Sequence, residues 1–367
     1  MHGGNERKQM KVLVAMSGGV DSSVCAKLLI DKGFECIGCT MKLYNNEEEQ
    51  AGQMKSCCSL DDTEDARSVA YRLGMNYYVF NFQDDFKEKV IEKFVSSYEN
   101  AITPNPCIDC NKFMKFEKLY DRALILGCEK IATGHYARIE EKNGEFFLKK
   151  AADPSKDQSY VLYFLSQEQL SHTLFPLGEY TKPEARKIAE ENGFENAKKP
   201  DSQDICFVPD GDYAAVIEKY SKKASLPGEF VTPEGKVLGT HKGIIHYTIG
   251  QGRGLGLSLP QKGYVCRICP KGNKVVVGTG KDLMSKEAFA EGFNWISGKA
   301  PKGKIECAAK VRYRAKEQPC IVYPLEDSKV RVVFKEEQRA ITPGQALVLY
   351  DGEYVLGGGT IIKNDAL

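Results

Sequence analysis

Seven residues near the start of the chain, Ser17-Gly18-Gly19-Val20-Asp21-Ser22-Ser23, have the types that hold a phosphate. Glycine lets backbone approach an anion with no Cβ in the way. The serine hydroxyls can donate. Where such a segment opens a helix, the free N–H groups and the dipole favour negative charge. A Walker loop would need a Gly-Lys-Ser/Thr ending, and no lysine stands here. The loop is therefore not built to grip a γ-phosphate in that way. A bare glycine turn with a serine cap is the plain alternative. The full match between a strand and a helix weighs against it.

Two other stretches place cysteine beside polar turn residues: TPNPCIDCNKFMKF (103–116) and KKPDSQDICFV (198–208). Cys110 is followed by Asn111 and Lys112 at an expected helix start, where the dipole and a cation lower a thiol pKa. Cys206 follows Asp201, Ser202 and Asp204, which raise it unless Lys198 and Lys199 compensate. The ordinary alternative for each is a buried structural thiol. Cysteines also pair as Cys-x-x-Cys at 36/39, 107/110 and 266/269. The first and last fall in expected strands, where residues three apart face opposite sides. A zinc ribbon is thus not expected. Cys107 and Cys110 follow a proline in a turn, so their sulfurs can converge with one distant ligand.

The elements that must position these groups are legible in the pattern. KVLVAM (11–16) is an unalternating apolar strand of the kind buried on both faces. The next helix sets Val24, Leu28 and Cys25, Leu29 on one side and stops at Gly33. Strands follow at 36–41, 76–82 and 130–137, and helices at 59–74, 84–101, 111–127 and 182–193. Alternating strands and helices predict a doubly wound parallel α/β sheet. Ligands in such sheets sit beyond the carboxyl ends of the strands, which gathers the glycine loop, Met41, Asn81 and Thr133-Gly134-His135 around one crevice. Asn143-Gly144 signals a hairpin. The expected boundaries are a disordered lead at 1–10, the α/β domain at 11–210, a small middle domain at 211–280 and a β-rich domain at 281–367. Strands in the last are read in IECAAKVRYRA, PCIVYPL, KVRVVFK, QALVLYD and YVLGGGTII, as in a barrel or sandwich. In KVRYR, alternation would align Lys310, Arg312 and Arg314 on one face, a row that suits a phosphate backbone, with a solvated barrel strand as the plainer reading of the residues alone.

The net charge of +1 gives no global sign of nucleic-acid binding, so any RNA site must be local. The 13 cysteines come without a secretory signal, so no disulfide scaffold is expected. No apolar run reaches membrane-spanning length. The expected setting is the cytoplasm, with no membrane partner.

In order, AMSGGVDSS, CCSLDD, TPNPCIDCNKFMKF, TGHYAR, DPSKDQSYVLYFL, KPDSQDICFV, HYTIGQGRGLG, KVRYR and TPGQALVLYDGE make the chain resemble the bacterial tRNA-specific 2-thiouridylases of the PP-loop ATP pyrophosphatase superfamily. The resemblance implies an adenine nucleotide alpha hydrolase-like PP-loop domain, a small middle domain and a C-terminal β-barrel. It implies ATP-dependent replacement of the C2 oxygen of the tRNA wobble uridine, position 34, by sulfur. Carried over by motif, ATP would lie on Ala15, Met16, Ser17, Gly18, Gly19, Val20, Asp21 and Ser22, with Met41 and Gly134. The target base would meet Asn105, Pro106 and Cys107. The tRNA would meet His135, Lys156, Asp157, Gln158, Arg312, Tyr313 and Gln345. Cys110 and Cys206 match the catalytic pair, which ends as a disulfide. ATP comes with Mg²⁺, and sulfur from a cysteine desulfurase or sulfur-carrier protein. Many relatives carry aspartate where Cys107 stands. The alternative route is a [4Fe–4S] cluster on Cys107, Cys110 and Cys206. Two rival functions are another PP-loop synthetase using ammonia and a non-catalytic ATP-gated RNA-binding protein.

Overall fold

The structure is a computed structural model that describes residues 9–44, 60–201, 205–208 and 211–363. Most of the expected lead, Cys57, Cys58 and Ser59 of CCSLDD, and Ser202, Gln203 and Asp204 lie outside the described residues. The helices are α1 (Val20–Asp31), α2 (Leu60–Arg72), α3 (Gln83–Phe86), α4 (Glu92–Glu99), α5 (Pro106–Asp109), α6 (Leu119–Ile125), α7 (Gln167–Ser171), α8 (Lys182–Glu191) and α9 (Tyr213–Tyr220). Packing divides the chain into two units. The first runs to Lys87 and resumes over Asp109–Phe207; the second holds Glu88–Ile108 and everything from Val208.

The first unit is built on β1 (Lys11–Ala15), β2 (Glu35–Lys42), β3 (Asn76–Asn81), β4 (Lys130–Ala132) and, after a hairpin of β5 (Arg138–Lys142) and β6 (Glu145–Lys149), β7 (Thr173–Leu174). The sheet is all parallel, in the order β3-β2-β1-β4-β7. Val12 and Val14 pack into a core with Val24, Leu28 and Leu29 of α1, Val69 of α2 and Ala185 of α8. Leu13, on the other face, is also fully buried. That two-sided burial is why β1 shows no alternation. The α1 helix ends in a Schellman turn: Gly33 (φ +83°) donates to Ile30 O at 2.8 Å and Phe34 to Leu29 O at 3.1 Å. The hairpin turns on Asn143 (φ 54°) and Gly144 (φ 80°).

Three expectations here are corrected. The strand at 130–137 stops at Ala132, and residues 133–137 form a loop at the sheet's carboxyl edge. The two-residue β7 was not anticipated; it carries too few residues to show a period. The helix expected from Asn111 begins at Pro106 instead and continues as a π-helix over Cys110–Lys118. Pro106 needs no N–H partner at the first helical position, and Asn105 Oδ1 accepts the Cys107 N–H at 3.2 Å. Cys110 therefore sits a turn inside the helix, where the terminal dipole has faded.

The second unit contains a four-stranded sheet and a barrel. The sheet has the order β10 (Tyr264–Cys269), β11 (Lys274–Gly278), β8 (Gly228–Val231), β9 (Val237–His241). Its core includes Phe230, Tyr247, Val265 and Ala101. The barrel runs β12 (Met284–Trp295), β15 (Val330–Arg339), β14 (Gln318–Pro324), β13 (Ile305–Lys310), β16 (Ala346–Asp351), β17 (Tyr354–Ile362), and β17 pairs back with β12. Closure leaves these six strands without an edge. The twelve-residue β12 was missed; its burial alternates only weakly and register shifts interrupt its pairing with both neighbours. The cationic row in KVRYR is also corrected. The strand ends at Lys310, whose ammonium lies over the Tyr350 ring. Val311 is buried, and Arg312 donates to Ala340 O and Thr342 Oγ1. Tyr313 is 40% exposed. Among the described residues no helix is long and apolar enough to cross a membrane.

Candidate active site

The glycine loop leaves β1 and enters α1 as its composition demands. Met16 N–H donates to Cys39 O at 2.7 Å, which keeps the loop in register with β2. Gly18 takes φ +74°, and a Cβ there would stand 2.2 Å from Asp62 O. Gly19 occupies the N-cap without a side-chain acceptor, so the first turn of α1 is left uncapped by side chains. That is the arrangement an anion completes. Ser22 Oγ accepts from Ser17 N–H at 3.1 Å and donates to Gly19 O at 3.0 Å, and Ser17 itself is exposed. Asn196 locks the loop from behind, donating to Gly18 O at 2.8 Å and Ser23 Oγ at 2.9 Å. Gly134 is tight against this turn: a Cβ would lie 2.8 Å from the Asp21 carbonyl carbon and 2.9 Å from Ser22 N. Met41 is half-buried near the carboxyl end of β2.

Cys206 is half-buried at the same sheet edge. Tyr44, just beyond β2, donates its hydroxyl to Cys206 O at 2.8 Å. The next residue, Phe207, is buried and packs edge-on to Phe86 at 5.7 Å. Cys110 opens the π-helix, whose last residue, Lys118, pairs with Asp85 of α3 at 2.7 Å. Phe116 of that helix is buried against His135 and Phe175, each with ring centroids 6.0 Å away, and Gln169 donates to Phe116 O at 3.2 Å. His135 follows β4. The phosphate loop follows the central strand β1; Tyr44, beyond β2, holds Cys206, and the π-helix that Cys110 opens packs through Phe116 on His135, beyond β4. A π-helix in this position is itself unusual and such segments gather at functional sites.

Charge pairing around the loop was only partly legible. Lys182, at the start of α8, is buried with its Nζ 2.7 Å from Asp21 Oδ1 and 2.7 Å from Asp201 Oδ1. Tyr136 donates to the same Asp21 oxygen at 2.8 Å. Lys156 and Arg186 complete Asp201 at 2.8 and 3.0 Å. Lys199, expected to offset acids near Cys206, is instead bound to Asp62 and to Asp65 at 2.7 Å. Lys182, Asn196, Tyr136 and Tyr44 were missed, because nothing local in their sequence distinguishes them from ordinary helix and core residues.

Burial pushes the Asp201 carboxyl up, but hydrogen bonds and charge from Lys156 and Lys182 outweigh it and bring the group down from 3.8 to about 2. The unfolded chain then binds more protons than the folded one between those values, so this contribution is present above 3.8 and is lost as pH falls toward 2. We expect Asp201→Asn to cost about 1–2 kcal/mol at neutral pH, and the gap to close as the pH of urea melts is lowered through that window.

Other assigned residues turn inward. His135 is buried; burial, reinforced by the Lys115 charge, holds its pKa well below the usual value, and its Nδ1 lies 2.6 Å from Thr133 Oγ1. His135, which the resemblance assigns to tRNA, keeps its ring among Phe116 and Phe175 at the β4 exit. Asp157 accepts from Ala151 N–H at 3.1 Å and Ser159 Oγ at 2.9 Å, and Gln158 accepts from Tyr136 N–H at 2.9 Å. Asp157 shapes its own loop, and Gln158 ties that loop to the β4 exit.

In the second unit, Cys107 is exposed beside Asn105 and Pro106. Gln345 donates to Thr103 O at 2.9 Å, and Thr103 N–H donates to Pro343 O at 3.0 Å. Gly344 (φ +92°) leaves no room for a Cβ, which would meet Ile102 Cγ2. The barrel loop thus holds the Asn105–Cys107 stretch through the residues before it. Among the described residues no group of three or more histidine, cysteine or acidic side chains is placed to hold a metal ion.

The chain matches a tRNA methyl transferase HUP domain model over residues 10–210, a tRNA methyl transferase PRC-barrel domain over 214–279 and an aminomethyltransferase beta-barrel domain over 285–361. It is 51% identical to "tRNA-specific 2-thiouridylase MnmA 1" of Thermoanaerobacter sp. (strain X514), covering 97% of this chain and 98% of that protein. It is 48% identical to "tRNA-specific 2-thiouridylase MnmA" of Clostridioides difficile (strain 630), covering 96% and 98%. A 4-thiouridine synthetase–RNA complex with bound ATP aligns over 54% of this chain and 45% of its own at 16% identity, with a TM-score of 0.35, too low to bear on function.

Proposed function

The chain belongs to the tRNA-specific 2-thiouridylase family, and from that premise we propose that it converts the wobble uridine of tRNA to 2-thiouridine using ATP and persulfide sulfur. The matched domain models carry methyl-transferase names. A lysine-free phosphate loop with two cysteine-bearing segments packed on the same sheet suits adenylation followed by sulfur transfer. The anchoring of those two segments, by Tyr44 on Cys206 and by Phe116 on His135, is the observation that supports the reading.

The uncapped start of α1 and Ser17 bind the phosphates of magnesium-bound ATP. The uridine is splayed out and its C2 oxygen attacks the α-phosphorus; pyrophosphate leaves. Cys206 carries a persulfide supplied by a cysteine desulfurase or sulfur-carrier protein. Its terminal sulfur attacks C2 and AMP leaves with the former oxygen, assisted by Cys110 as acid and base. Cys110 thiolate then attacks Cys206 Sγ. The base keeps the sulfur, the two cysteines form a disulfide, and an external thiol reductant restores them. Asn105, Pro106 and Cys107 receive the base, and Lys156 and the exposed Tyr313 lie toward the tRNA. The cytoplasm, where tRNA and ATP meet, is the proposed setting.

The test is a reaction with unmodified tRNA, ATP and a persulfide donor, followed by nucleoside mass spectrometry. Pyrophosphate, AMP and 2-thiouridine should appear in equal amounts. A methylated nucleoside, or sulfur incorporation without AMP, would refute the assignment.

A further inference from the structure

We propose that Asp201 is a positioning residue that fixes the Cys206-bearing segment to the phosphate loop through Lys182. The inference deepens the reading above and rests on it. Asp201 lies five residues before Cys206. Its Oδ1 accepts from Lys182 at 2.7 Å and Arg186 at 3.0 Å, and its Oδ2 from Lys156 at 2.8 Å. Lys182 is only 7% exposed, and its other close anion is Asp21, in the first turn of α1, at 2.7 Å. An ammonium removed from water holds both carboxylates firmly, because losing either leaves a buried charge undercompensated. Opposite charges thus alternate from the phosphate loop through Lys182 to the base of the Cys206 segment. Cys206 and Phe207 have contacts of their own, to Tyr44 and Phe86. Arg186 strengthens the near end: it also donates to Ala197 O at 3.0 Å and Lys199 O at 3.1 Å, holding the chain that leads into Asp201. Lys156 brings a third element to the same carboxylate, from the loop toward which tRNA is proposed to lie.

The consequence is specific to one half of the reaction. Adenylation needs the loop and the uridine; sulfur transfer also needs Cys206 at the right distance. A misplacement of about 1 Å can cost about 10²-fold in a step that depends on it. Asp201→Asn in the full-length protein should therefore slow 2-thiouridine formation about 10²-fold, while the single-turnover release of pyrophosphate and the KM values for ATP and tRNA stay within about threefold. Asp201→Glu, which keeps the charge on a longer stem, should lose less. Hydrogen exchange of the amides at 205–208 should be faster in both variants without substrate. Equal slowing of pyrophosphate release and thiolation, or unchanged exchange at 205–208, would overturn the inference. If Cys206→Ser retained thiolation, the functional reading would fail, and the exchange result would still decide whether Asp201 holds the segment.

Discussion

Replacing Cys206 with serine is expected to abolish 2-thiouridine formation while pyrophosphate release survives for a single turnover. Serine cannot carry the transferable sulfur, so no nucleophile remains to displace AMP from C2. The loss should reach at least about 10³-fold, the scale seen when a covalent nucleophile is removed. An adenylated tRNA should accumulate, detectable by mass spectrometry of the nuclease-digested RNA. Cys110→Ser should differ in kind. It leaves the persulfide in place, so AMP departs slowly and the base stays attached to Cys206 through a mixed disulfide that reductant releases. Thiolation by Cys206→Ser at the parental rate would exclude this residue from the chemistry. Stability should barely change in either variant, since serine occupies nearly the same volume at half-buried positions.

The second large effect is expected at Gly18→Ala. An alanine must adopt φ +74° there, and its methyl would stand 2.2 Å from the Asp62 carbonyl oxygen. Backbone cannot yield as a flexible side chain does, so either the loop or α2 must shift. Gly33→Ala is the internal control: φ is +83°, yet nothing lies within 4 Å of the added carbon. The control should cost about 1 kcal/mol, the conformational penalty alone. Gly18→Ala should cost about 2–4 kcal/mol, the penalty plus overpacking. It should also weaken ATP binding more than tenfold, about 1.4 kcal/mol or more, because the N–H groups move off the phosphates. Denaturant unfolding and ATP titration check both. Equal destabilisation at the two positions would mean that the contact with α2 is irrelevant.

What was legible in the sequence is what local chemistry determines. Periodicity located β1, β2 and the α1 and α8 helices, since each buries a stripe or face whose spacing follows from its own geometry. The glycine-serine loop and the two cysteine motifs were visible because their residue types are unusual at those spacings. The closing barrel strand was not, since β12 is held by pairing on both sides and its two faces differ little in polarity. Nor was the short β7 strand, which exists because β4 lies beside it.

Only the tertiary structure decided which charges meet. Asp21, Lys182 and Asp201 are 161 and 19 positions apart in turn, yet share one buried ammonium. It likewise turned Arg312, which strand alternation set in a phosphate-facing row, toward Ala340 O, and packed His135, which the family resemblance assigns to tRNA, among Phe116 and Phe175. A side chain's type fixes what bonds it can form. Which partner it takes depends on elements brought together by burial of faces far apart in the chain, and that information is not local.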